Sequence, residues 1–197
     1  NMFITGNSIS GNGAGICLSE NTYFVISKCV VSNNNSTSGN WSNGGGGIYA
    51  TGAAGKIIDS EINENYGNYG GGVQLKDSEV IMENLRLKNN YSNAEGAGIY
   101  FWGGNSTLNN SIIIGSVGKG ISTFQNTVTI SNVKIINSSD NAIKTDRTSA
   151  TYTYLDLINN ESVSISNGSA TFSNCNFNGT EMNDYNGIVL ESNLFNN

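Results

Sequence analysis

The chain has no proline and no histidine, and only 12% of its 197 residues are charged. Each shortage closes off a class of function. Without histidine the commonest near-neutral acid–base group and metal ligand is missing. Lys and Arg number 9 against 15 Asp and Glu, for a formal net charge of -6. Nucleic-acid affinity rests on clustered basic residues that neutralise phosphates, and no such cluster exists here. No nucleic-acid partner is therefore expected, and anionic lipid surfaces are disfavoured for the same reason. Long apolar runs are also absent: stretches such as Ile112–Ile114 fall far short of the roughly 20 residues that span a bilayer, so this polypeptide is expected to insert in no membrane. Cys17, Cys29 and Cys175 cannot all pair and show no CxxC spacing, so they read as small buried hydrophobes.

What is abundant is asparagine, about a sixth of the chain, together with 25 glycines and as many serines. Such polarity suits disorder, but 37% of the residues are hydrophobic and recur as spaced Ile, Val, Leu and Phe in β-favouring company. The chain opens Asn1, Met2, Phe3 already in repeat-like sequence. It is read as one β-helix domain, residues 1–197, belonging to a longer protein.

Two sequence marks alternate. The first is a small residue, usually Gly, before a β-branched one: GAGICL at Ile16, GGGGIYA at Ile48, GGGVQL at Val73, GAGIYF at Ile99, GKGIST at Ile121, NAIKT at Ile143, NGIVL at Ile188, and a weaker copy at Val163. The second is an apolar residue, two turn-like residues, a small or apolar one, a free position and another apolar residue. It begins at Ile4, Ile26, Ile57, Met82, Leu108, Ile130, Tyr152 and Phe172. From first mark to second the distance is ten residues once (Ile16 to Ile26) and nine in every later coil through Val163 to Phe172. The return distance varies from 11 to 22. One side of each coil is thus fixed and the other carries loops.

Short alternating strands repeating every 22 to 26 residues or so cannot bury a face singly, but stacked coils can. The expected fold is all-β: a right-handed parallel β-helix, or solenoid, of about eight coils with variable loops on one edge. The second turn position reads Gly6, Lys28, Asp59, Asn84, Asn110, Asn132, Tyr154 and Asn174, mostly residues that tolerate left-handed backbone. Gly15, Gly47, Gly72, Gly98, Gly120 and Gly187 are expected where each loop re-enters the stack and a Cβ is unwelcome. Asn34, Asn65 and Asn90 are placed to form a hydrogen-bonded ladder.

The pairing of GGGGIYA with Val31 to Asn34, GGGVQL with Ile62 to Asn65, and GAGIYF with Leu87 to Asn90 resembles the repeats of polymorphic outer-membrane proteins and of adhesin-like surface proteins of methanogens and gut bacteria. It departs from the chlamydial type in lacking Phe at most copies. The resemblance implies a cell-surface or secreted adhesin whose partner is a glycan or a surface protein of another cell.

Many β-helices cleave polysaccharides, so a polysaccharide lyase or hydrolase is the alternative reading. The nearest acid–base cluster, Asp140, Lys144, Asp146 and Arg147, could serve lyase chemistry with Ca²⁺, but reads better as a solvated turn. No catalytic residue, cofactor or metal is expected. The aromatic residues are more suggestive: Tyr49 and Tyr100 should point outward by alternation, Trp41, Tyr66, Tyr69 and Tyr91 lie in the longest loops, and Trp102 ends a strand. These seven are the candidate ligand-binding residues, by stacking on sugars or filling protein pockets. The alternative is that the rings merely shield the stack. Ten Asn-x-Ser/Thr sequons stand little above the roughly seven expected by chance. A passive spacer remains a third reading.

Overall fold

The computed structural model describes residues 2–37, 44–183 and 187–196. It is an all-β solenoid of about seven parallel turns, without helix among the described residues. Each turn contributes strands to three faces. The first face is an eight-stranded parallel sheet that runs from Ile16–Leu18 through Ile48–Thr51, Val73–Lys76, Ile99–Trp102, Ile121–Phe124, Ile143–Asp146 and Ser162–Ser166 to Glu181–Met182. The second and third faces belong to one bent sheet, and in two coils a single strand, Asn105–Ile114 or Thr127–Ile136, runs round the corner between them. A fourth, short ladder of Ser8–Ile9, Asn35–Ser36, Tyr66–Tyr69 and Tyr91–Glu95 starts the long loops.

The register follows the sequence marks. Ile48, Val73, Ile99, Ile121, Ile143 and Val163 pair in succession on the first face, and all six are fully buried. Ile26, Ile57, Met82, Leu108, Ile130, Tyr152 and Phe172 do so on the second. Val31, Ile62, Leu87, Ile113, Ile135, Leu157 and Phe177 form the column of the third. Stacked at about 4.8 Å, like packs on like along the axis, and each buried aliphatic or aromatic side chain contributes about 1.5 to 3 kcal/mol.

The corner between second and third faces is left-handed at every copy, with φ from 49° to 55° at Lys28, Asp59, Asn84, Asn110, Asn132, Tyr154 and Asn174. After the third face a second left-handed corner, which the sequence marks did not reveal, falls at Asn33, Glu64, Asn89, Asn137 and Asn159. The residue following it turns inward and builds the expected ladder. Asn34 Nδ2 donates to Asn65 Oδ1 at 3.0 Å and Asn65 Nδ2 to Asn90 Oδ1 at 3.1 Å. The same amides donate to the Ile4 and Val31 carbonyls, so buried polar groups are paired.

Several expectations need correction at the ends of the stack. Ile4 pairs with Val31, not with Ile26; Gly6 therefore lies at the second corner, and Asn7 joins the ladder through Asn34 Oδ1. Ile188 is no first mark. It pairs with Ala170 on the second face, and Leu190 continues the Phe172 column, while Met182 takes the place next to Val163. Leu190-Glu191-Ser192-Asn193-Leu194-Phe195 is instead a further second mark, with Ser192 at φ 53°. Gly187 accordingly sits beside Gly168 at another corner. Cys29 and Cys175 are buried as expected, but Cys17 is exposed, because its outward row is not covered in that coil.

Candidate ligand-binding groove

On the first face alternation sends Ile48 and Ala50 inward and their neighbours outward. Pairing in register then makes two outward rows. One runs Cys17, Tyr49, Gln74, Tyr100, Ser122, Lys144. The other runs Thr51, Lys76, Trp102, Phe124, Asp146.

The first row is not the open surface that alternation alone suggests. Tyr49 is 3% exposed and Tyr100 7% exposed, and Gln74 between them is buried. The long loops fold back over them. Glycine makes this approach possible: a Cβ on Gly45 would lie 2.7 Å from Tyr49 Cβ, and one on Gly70 would lie 2.6 Å from Gln74 Cβ. Burial, partly offset by a hydrogen bond to Thr51, holds the Tyr49 phenol above its usual range. Burial and then the nearby Glu95 carboxylate do so more strongly for Tyr100.

The candidate rings fall into two groups. Tyr66 and Tyr91 stack at 5.0 Å with planes 15° apart, tied through Asn93, which accepts from Tyr91 Oη at 2.5 Å and donates to Tyr66 Oη at 2.6 Å. Tyr69, Tyr100 and Trp102 form the second group, and Phe124 extends it. Tyr49 is covered, and Trp41 lies outside the described residues. The single aromatic patch expected across three coils is therefore split.

The second group lines a groove of about 270 Å³ with Glu95, Thr123, Lys144 and Asp146. It opens where the loop cover ends. The return path from second to first mark shortens from 22, 16 and 17 residues in the first three coils to 13, 13 and 11 in the next three, leaving a step on the first face. Glu95, from the last long loop, reaches over that step. Its Oε2 accepts from Ser122 Oγ at 2.8 Å, and its Oε1 meets Lys144 Nζ at 2.6 Å. Lys119 lies 3.1 Å from Asp140 and 3.8 Å from Glu95.

Lys144 and Asp146 are thus part of the groove rather than of a solvated turn, and Phe124 and Glu95 join it without having been singled out. The outward row shared by Trp102, Phe124 and Asp146 follows from the repeat register and could have flagged two of them. Glu95 and Lys144 are 49 residues apart, and no local pattern joins them. Among the described residues no group of three Cys, Asp or Glu side chains could hold a metal ion, and no helix is long and apolar enough to cross a membrane. Comparison with protein families, with curated proteins and with solved structures finds no match to this chain.

Proposed function

We propose that this chain is a recognition rod: an adhesin-like, surface-exposed or secreted β-solenoid that binds a glycan or a protein on another cell and does no chemistry on it. The observation that carries this reading is the groove at the step, where Tyr69, Tyr100, Trp102 and Phe124 present ring surface beside charged groups on a scaffold of stacked sheet. Aromatic surface beside a few placed polar groups is the usual composition of sites for sugars and protein side chains. Rigid strands below and a loop above are the usual way to hold them.

Catalysis fits the groove less well. A lyase base at Lys144 needs a free amine directed at substrate, but that nitrogen is engaged by Glu95 at 2.6 Å. A lyase Ca²⁺ site at Asp140 needs an unpaired carboxylate, and that one is held by Lys119. A passive spacer needs no concave aromatic site.

A glycan array probed with the parent chain, Trp102→Ala and Phe124→Ala tests the proposal. The parent should bind a limited set of glycans, and each variant should lose about 1 to 3 kcal/mol of that binding with an unchanged circular dichroism spectrum. Binding that both variants retain in full would refute the groove as the site.

A further inference from the structure

Four aromatic rings follow one another along the groove. Ring centroids from Tyr69 through Tyr100 and Trp102 to Phe124 are 5.9, 6.5 and 6.5 Å apart. Successive planes differ by 33°, 26° and 65°. Phe124 thus stands steeply to Trp102, so the four rings do not form the one flat platform that suits the face of a pyranose ring; a row of tilted rings suits a compact cation, which aromatic faces attract through their quadrupole.

Charge in the lining points the same way. Two carboxylates, Glu95 and Asp146, stand against one ammonium, Lys144. Lys144 is engaged by Glu95. Among the described residues Asp146 meets Arg147 Nε at 4.0 Å and accepts from Asn167 Nδ2 at 3.3 Å, looser contacts than the 2.6 Å pair of Glu95 with Lys144. Two of the rings already attract cations of the chain itself: Lys76 Nζ lies 4.6 Å from the Trp102 ring, and the Arg147 guanidinium 5.5 Å from that of Phe124. Neither cation lines the groove.

Building on the recognition reading above, we propose that the groove takes a quaternary or multiply methylated ammonium group, carried by a choline-substituted glycan or by a methylated lysine of a protein. Methylation favours this class over plain ammonium, because it removes the tightly held hydration that a primary ammonium would have to shed among aromatic rings.

Isothermal titration of the 197-residue chain with choline, with its uncharged isostere 3,3-dimethyl-1-butanol and with a trimethyllysine peptide tests this. Choline or the peptide should bind, and whichever binds more tightly identifies the carrier. The isostere should bind about tenfold or more weakly than choline, the measure of a desolvated cation–π contact. Trp102→Ala and Asp146→Asn should each lower choline affinity by about tenfold. Lys144→Met should raise it, since it removes the competing cation and frees Glu95. Equal binding of the isostere would overturn the proposal, as would weaker choline binding by Lys144→Met. A chain that bound neutral glycans through Trp102 but neither cation would overturn it while leaving the recognition reading intact. Loss of every Trp102-dependent ligand would remove both.

Discussion

Tyr154 holds a left-handed φ of 54° at a corner where five of the six other interior copies, all but Lys28, are Asn or Asp. A bulky L-residue pays for that backbone region, and Asn pays least after Gly. Because the Tyr154 side chain is 63% exposed, little packing is lost on replacement. Tyr154→Asn should raise unfolding stability in urea by about 1 kcal/mol, and a drop would mean that the exposed ring makes contacts that outweigh the strain. Tyr152 lies two residues away and inward. Burial, eased by a hydrogen bond to Thr145, pushes its phenol up to about 12 from 10.0, and its Oη lies 2.7 Å from Thr145 Oγ1. An acid whose folded pKa is raised stabilises the fold fully below the unfolded pKa and loses that contribution as pH rises through the folded one. Stability should therefore fall between about pH 10 and 12. Tyr152→Phe should flatten that slope, at a cost near neutral pH of about 1 kcal/mol for the lost hydrogen bond. Denaturant titrations at pH 7, 10 and 11 would separate the two effects.

At the scale of the strand and its corner, much of the structure is legible in sequence because the repeat is tied to a geometric invariant. The path from first mark to second stays nine residues long because it must cross the same corner in every coil, so the interior pairings from Ile48 to Val163 follow directly. The end copies mislead. NGIVL has a glycine before a β-branched residue, as a re-entering loop would, yet Gly187 serves a corner between faces. Only the Leu190 to Phe195 pattern behind it shows which face comes next. Loop placement is also illegible, since length tells that Tyr66–Tyr69 and Tyr91–Glu95 protrude but not that their loops fold back and bury Tyr49 and Tyr100. That outcome depends on backbone approach at glycine. The stack itself has the same dependence: a Cβ on Gly98 would lie 2.5 Å from the Gly120 carbonyl oxygen of the next coil. Gly98→Ala should destabilise by about 3 kcal/mol or more, the upper end for single substitutions. Gly11→Ala, whose Cβ would meet, among the described residues, only the Ile9 side chain at 3.6 Å, should be nearly neutral. Thermal melts of the two variants check both values.

For the whole molecule, seven turns of like-on-like packing make a stiff support whose first face changes character along its length. Loops cover the coils of Tyr49, Gln74 and Tyr100, the connections of the later coils are shorter, and the groove lies at the boundary. The sequence indicates a loop-rich edge with aromatic residues but not this boundary site, because Glu95, Trp102, Phe124 and Asp146 meet only through register and a loop crossing. The proposed recognition belongs to this boundary and to no other part of the rod. Adhesion of the labelled chain to whole cells tests it most directly, comparing the parent with a Trp102→Ala/Phe124→Ala variant and with a Tyr23→Ala/Tyr154→Ala control, whose rings are 72% and 63% exposed on other parts of the surface. The parent and the control are expected to bind alike, and the groove variant to lose most of its binding while keeping the parent's circular dichroism spectrum. Equal binding by all three chains, or loss confined to the control, would contradict it.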